Sequence, residues 1–288
     1  MNALRGLATL LVAVVAAAAA APALAQTSSY YYKHQRGMDE RFRLDLGGFF
    51  QKFETTVSLS NAAGTAGTDV SLEDDLGQDS KQTSFGADGY WRFGRHGRLD
   101  FAYRGWNRSN SHMLSKDIVF GGTTYRAGAQ IDSRLRVNIA ELYYAYSFVN
   151  NGDLELGLGL GFSTYFTAMD VSGSGTVTGG GGSTAASFTS ETRSLVLPVP
   201  ALKAYFAYAL YPGLFASASF KGITGTISGY HADMQDFRGG FDYVFSKNFG
   251  LGGAYQYVKI NASRSGTSGD LAFTYKYEGP LAYLILVF

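Results

Sequence analysis

Between Leu154 and Ser163 the chain alternates with a period of two: Leu154, Leu156, Leu158, Leu160 and Phe162 on one parity, Glu155, Gly157, Gly159, Gly161 and Ser163 on the other. A β-strand is the regular element with that period, because successive side chains leave opposite faces. One face is wholly apolar, and the other is too small and polar to be the core of a water-soluble sheet. A strand of this kind fits a closed barrel in lipid, with leucines against hydrocarbon and the small face turned to the lumen.

The pattern recurs. Phe85, Ala87, Gly89, Trp91 and Phe93 alternate with Asp88, Tyr90 and Arg92; Leu99, Phe101 and Tyr103 alternate with Asp100, Ala102 and Arg104; Phe237, Gly239, Phe241, Tyr243 and Phe245 alternate with Asp236, Arg238 and Asp242. Short connectors (Gly94 to Gly97, Asn150 to Asp153, Tyr211 to Gly213, Ser246 to Asn248) take turns with long ones (Asn61 to Ser80, a hairpin near Gly121 and Gly122, Asp170 to Thr192, Ser228 to Ala232, Ser263 to Gly269). Tight periplasmic turns and longer external loops have that rhythm. The expectation is an all-β, antiparallel up-and-down transmembrane β-barrel of about ten strands, with eight or twelve as alternatives. The stretch Gly173 to Ser187 is low-complexity Gly, Ser and Thr and predicts a loop without secondary structure.

The amino terminus gives the route. Arg5, an apolar and alanine run from Ala8 to Ala21, and Ala23-Leu24-Ala25 form a secretory signal peptide with an A-x-A cleavage site at Ala23 and Ala25. Residues 26–288 then make a single barrel domain placed in the cell outer membrane. Arg5 is the only ionisable residue of the leader, so 23 basic groups face 23 acids in the mature chain, and no basic excess argues for nucleic acid. With 20 Tyr, 21 Phe, 37 Gly and no Cys, the composition suits strands and interfacial aromatic girdles, and no disulfide staples the fold.

Placing the charged parity inside collects Arg43, Arg92, Arg104, Lys203, Lys221, Arg238 and Lys276 against Asp45, Asp88, Asp100, Glu141, Glu155, Asp236, Asp242 and Glu278. Glu141 sits in Val137 to Phe148, which is apolar on both parities. Opposite charges in a ten-stranded lumen would pair and fill it, with Arg92, Arg104 and Arg238 expected against Asp88, Asp100 and Asp242. The alternative is a small selective pore. Phe273, Tyr275 and Tyr277 fall on the other parity from Leu284, Leu286 and Phe288, which predicts that a β-bulge at Gly279 and Pro280 switches the outward face. Otherwise those upper residues lie beyond the bilayer, where face is unconstrained.

No chemistry is announced. His34, His96, His112 and His231 share no metal-ligand spacing, so no metal and no cofactor is called for. Asp69, Glu73, Asp74, Asp75 and Asp79 lack the ordered spacing of a calcium loop and read as a solvated acidic loop. Omptin proteases carry Asp-x-His in the loop where this chain has His231-x-Asp233, and an Asp-x-Asp facing it where this chain has only His112 and Asp117. Order and placement both fail, and no catalytic residue is assigned.

The chain resembles small outer-membrane barrels of the OmpA-like and OmpW-like kind, and Val70 to Gly77 (VSLEDDLG), Ile118 to Gly122 with Tyr125, and Glu141 to Phe148 (ELYYAYSF) resemble a family of proteobacterial outer-membrane barrels. The terminal strand, with Leu284, Leu286 and Phe288 on one face, resembles the signal read by the outer-membrane assembly machinery. These resemblances imply outer-membrane lipid and lipopolysaccharide as surroundings. They imply no activity. The expected role is structural or surface interaction through external loops, with an unidentified ligand; a small-solute pore is the alternative, and a barrel enzyme of the omptin kind the remote one.

Overall fold

The computed structural model describes residues 40–59, 69–120, 123–179, 182–227, 230–264 and 271–288. The signal peptide, its cleavage site and His34 lie outside them. The described chain contains β1 (Phe42–Leu59), β2 (Asp69–Ser71), β3 (Lys81–Phe93), β4 (Gly97–Met113), β5 (Ile118–Phe120), β6 (Thr123–Tyr125), β7 (Gln130–Asn150), β8 (Leu154–Gly179), β9 (Gly182–Tyr211), β10 (Leu214–Ile227), β11 (Tyr230–Val244), β12 (Phe249–Arg264) and β13 (Leu271–Val287). All ladders are antiparallel, each long strand pairs with its predecessor, and β1 pairs with β13. The ring is a closed barrel of ten long strands, with β2, β5 and β6 as short additions at one end. Closure gives every long strand a paired neighbour on both sides, as hydrocarbon requires.

The four predicted tight turns all join consecutive long strands, at one end of the barrel. Gly94, Gly152 and Gly213 each take a positive φ there (77°, 92° and 80°), which a turn this short demands and which glycine adopts without strain. We call this the turn end and the opposite one the loop end. Phe288 completes the closure: its N–H donates to the Phe42 carbonyl and its carbonyl accepts from Arg41 and Phe42.

The alternation decides the two faces. On β8, Leu158, Leu160, Phe162 and Phe166 are 42–62% exposed while Glu155, Gly161 and Ser163 are buried. Leu154 and Leu156 depart from the expected lipid face and are covered; they lie directly opposite Tyr208 and Phe206 of β9, whose large rings share that face. On β13 the outward residues are Phe288, Leu286, Leu284, Ala282 and Pro280. Eight steps of ~3.3 Å at a tilt of ~40° span roughly 20 Å, close to the ~25 Å apolar band of membrane barrels.

Two expectations are corrected. Gly173 to Ser187 is not structureless: β8 and β9 continue through it as a ladder from Gly173↔Phe188 to Gly179↔Gly182. Backbone hydrogen bonds need no large side chains, and the pairing is carried outward from a ladder already in register. There is also no switch of face on β13. Register runs on across Gly279 and Pro280 on both sides, so Tyr275 and Tyr277 stay inside and Lys276 and Glu278 point outward. Pro280 withholds its N–H without shifting register, and the ladder to β1 merely skips two residues there.

Toward the loop end the ring loosens at two seams. The β3–β4 ladder stops at Gly86↔Arg104, and the β9–β10 ladder stops at Leu202↔Gly222. At the second seam Pro198 and Pro200 explain the stop. Ala209 donates its N–H toward β8, so odd positions of β9 face β8 and even positions face β10. The two prolines therefore remove the donors that β10 would need.

Candidate functional site

The lumen has two storeys. Of the fifteen charged residues expected inside the barrel, Lys276 and Glu278 point outward and the others are inside, twelve of them near the turn end being Arg43, Asp45, Asp88, Arg92, Asp100, Arg104, Glu155, Lys203, Lys221, Asp236, Arg238 and Asp242. Glu141 joins them from β7. So does Arg98, which the sequence reading passed over although it shares the parity of Asp100. Seven cations thus meet seven acids around the lumen, among the described residues of this storey, and an eighth buried acid, Glu40, accepts from the Tyr90 hydroxyl at 2.9 Å.

The partners come mostly from across the lumen. Arg92 and Arg98 are direct neighbours on β3 and β4, and Glu155 of β8 lies 3.0 and 3.4 Å from them. Lys203 and Lys221 are direct neighbours on β9 and β10; Asp100 takes the first at 2.5 Å, and Glu141 and Asp236 take the second at 2.7 Å each. Like charges directly opposite in a sheet repel. Here each such pair is neutralised by acids reaching in from other strands. Arg43 holds Asp45 and Asp242, and Arg238 holds Asp88. The expected pairing was therefore right only for the Arg238 and Asp88 groups and mismatched between them: Arg92 goes to Glu155, and Arg104 donates to Gln256, which in turn donates to Asp236. Asp88 is four residues from Arg92 on the same strand, but the guanidinium extends across the ring to Glu155.

A polar cavity of about 160 Å³ remains among these groups, bounded by Arg43, Asp100, Glu141, Lys203 and Arg238. That is room for several water molecules.

Above this storey the lumen is filled by rings and branched side chains. Phe53 packs between Trp106, Tyr275 and Tyr277 with centroids 5.5–6.0 Å apart, and the Trp106 indole N–H donates to the Tyr275 hydroxyl at 2.7 Å. Val137, Ile139, Tyr165, Met234, Val258 and Ile260 complete the layer, each 5% exposed or less. This is why β7 reads as apolar on both parities: one face meets lipid and the other a dry plug. Sequence parity cannot tell those two surroundings apart.

The segment after β2 closes the loop end. Leu72 and Leu76 are buried, Glu73 accepts from the Thr55 N–H and pairs with Arg108 at 2.5 Å, and the Gln78 amide donates to Ser133. The acidic segment is thus only partly the solvated loop expected: Asp74 and Asp79 are exposed, while Glu73 is tucked under the barrel mouth and Asp75 pairs with Lys116. Glu73 has an apolar neighbour on each side of its turn, Leu72 and Leu76, and that spacing was the available signal.

The remaining candidates are not brought together. His231 and Asp233 lie on the outward parity of β11, with His231 bonded to Thr226 at 3.2 Å. His112 lies on the inward parity of β4 beneath Gly77, and Asp117 is paired with Arg126. His96 of a tight turn bonds the Ser147 carbonyl. No cluster of three or more metal-ligating side chains occurs among the described residues.

Solved structures match the architecture. The outer-membrane protease OmpT of Escherichia coli superposes with a TM-score of 0.55 at 11% identity, covering 87% of this chain and 97% of that one. This likeness is one of fold. The translocator domain of the autotransporter NalP from Neisseria meningitidis (TM-score 0.45, 12% identity, 93% and 96% covered) and OprG from Pseudomonas aeruginosa (0.34, 11%, 85% and 96%) are more distant barrels. No family model matches the chain, and no curated protein matches it in sequence.

Proposed function

We propose that this chain is a closed outer-membrane barrel with a structural or surface-interaction role, its tight turns in the periplasm and its loops outside the cell. The observation that carries the reading is the lumen itself. Its charges cancel in pairs, a dry aromatic layer sits above them, and Glu73 and Arg108 pin a lid over that layer. Such an interior stabilises a narrow barrel and leaves no continuous aqueous path. What reaches the medium is the loop end, dominated by the long β8–β9 hairpin. Catalysis has no support in the arrangement of His231, Asp233, His112 and Asp117.

The test is conductance. Purified protein reconstituted in planar bilayers should show no steady openings at moderate voltage, whereas stable ion-selective openings of the unmodified protein would establish the pore instead. Address is tested separately: the mature protein should fractionate with outer membranes and migrate anomalously on gels until boiled.

A further inference from the structure

The correction on β13 leaves a question that the lumen helps to answer. Lys276 and Glu278 point outward, and so do their neighbours on three adjacent strands: Lys81 of β3, Lys52 and Glu54 of β1, and Lys259 of β12. Lys52 stands directly opposite Lys81, and Lys259 directly opposite Lys276. These are like-charge cross-strand pairs of the kind found inside the barrel, where acids from other strands neutralise each one. Outside there are four lysines and two glutamates. Glu54 reaches Lys52 at 3.6 Å and Lys276 at 3.1 Å, and Glu278 reaches Lys276 at 3.6 Å. Lys81 and Lys259 form no ion pair among the described residues, and neither does Asp79, two residues before Lys81. Across the β1–β13 seam Lys52 faces Glu278 and Lys276 faces Glu54, so the surplus positive charge, offset in part by Asp79, lies at the two flanks, where Lys52 faces Lys81 and Lys276 faces Lys259 and each pair repels.

The height of this patch identifies what can supply the missing acid. Below it the outward residues are apolar or aromatic: Phe50 is 51% exposed, Phe85 80% and Tyr255 49%, with Pro280 and Ala282 beside them. Above it they are polar: Thr56 and Ser58 on β1, Asn261 and Ser263 on β12, Thr274 on β13. The four lysines therefore stand on the line where hydrocarbon gives way to headgroups, each with an apolar stem to lay on the belt and an ammonium to raise above it. We infer that this patch is a binding site for the phosphate groups of an outer-leaflet phosphorylated glycolipid, whose acyl chains lie along the Phe50, Phe85 and Tyr255 surface below. Charge complementarity selects the phosphates, and continuity with the lipid belt selects a lipid over a free anion. The inference rests on the proposed orientation, with the loop end outside.

Lipid A binding to the purified full-length barrel in a mild non-ionic detergent tests it, read by native mass spectrometry and by the shift in melting temperature. Wild-type protein should retain bis-phosphorylated lipid A, bind monophosphoryl lipid A more weakly, and not be shifted by phosphatidylcholine or inorganic phosphate. Lys81→Gln/Lys259→Gln should lower lipid A affinity at least tenfold while heat-modifiable migration is unchanged; Glu54→Gln, which removes a competing acid, should raise it. Arg134→Gln, on β7, should leave it unaltered. Equal affinity of the double variant and wild type, or equal binding of phosphatidylcholine, overturns the site. Stabilisation by inorganic phosphate equal to that by lipid A overturns the lipid assignment. These readouts need no membrane address, so a failure of outer-membrane fractionation overturns the proposed orientation without being confused with failure of the site.

Discussion

Lys221 offers the sharpest probe of the lumen. Its ammonium lies 2.7 Å from both Glu141 and Asp236, and all three side chains are at most 7% exposed. Lys221→Met keeps the stem and removes the charge, leaving two buried acids without their shared partner beside the small polar cavity. Breaking one buried pair costs about 3 to 5 kcal/mol. Two acids lose a partner here, which argues for the upper end, but Arg104 remains close to both and offsets part of it. An expected loss of about 4 kcal/mol is nearly three decades in the folding equilibrium constant. Urea titration of the barrel in lipid vesicles, followed by the gel-mobility difference between folded and unfolded protein, measures it. Lys221→Met/Glu141→Gln/Asp236→Asn removes the charges together and should recover to within about 1 kcal/mol of wild type, because neutral replacement of a buried ionic group is often harmless. If the single variant is as stable as wild type, the lumen is wet and screened. If the triple variant is as damaged as the single one, shape and not charge holds the storey together.

Four further outcomes follow from the same structure. Leu158→Arg, in the middle of the lipid face, should cost about 2 to 4 kcal/mol in vesicles, whereas Phe245→Arg beside a tight turn should cost about 0 to 1; equal costs would refute the placement of the belt. Phe53→Ala should destabilise the barrel by about 3 to 5 kcal/mol in the same titration, as expected of a fully buried ring, and a loss under 1 would show that the aromatic layer is loosely packed. Deleting Phe288 removes three backbone bonds at the turn end of the β1–β13 seam together with the terminal ring, so the truncated chain should accumulate unfolded in the periplasm, checked by its protease sensitivity in cell fractions. Asp117 is held below its ordinary value of 3.8, first by the Ala127 N–H and then by Arg126. A depressed carboxylate stabilises its loop above its unfolded value and loses that contribution as pH falls through the folded one. Exchange protection of the Ala127 amide should therefore persist at pH 3.8 and vanish only at lower pH, and loss already at pH 5 would contradict it.

The sequence displays the strands because lipid and lumen impose opposite demands on adjacent residues, as in Leu158 beside Gly159 or Phe237 beside Asp236. It displays three of the four tight turns because Gly94, Gly152 and Gly213 stand where backbone handedness requires them, and the fourth through the polar Ser246 to Asn248. It conceals the upper plug, because Tyr275 and Ile139 look the same facing a dry interior as facing hydrocarbon. It conceals ion-pair choice too: Glu155 meets Arg92 and Arg98 only once the ring has closed. Arg98 and the pairing of Glu73 with Arg108 were legible in part, from parity in the first case and from Leu72 and Leu76 in the second.

The small residues on the inner wall carry a consequence for how this barrel can diverge. A methyl group at Gly157 would strike the Tyr205 ring and one at Gly252 would strike the Tyr283 ring, whereas one at Gly161 would first strike the Leu142 carbonyl. Gly157 and Gly252 are each the socket for one tyrosine on a neighbouring strand, and those tyrosines in turn touch the ions: Arg98 lies over Tyr205 and Arg238 over Tyr283. Glycine and ring are thus a single inherited unit. In descendants of this chain a socket can acquire a side chain only when its tyrosine has already shrunk, so substitutions at 157 and 205 and at 252 and 283 should appear in a fixed order, ring first, while 161 stays glycine whatever happens at 143.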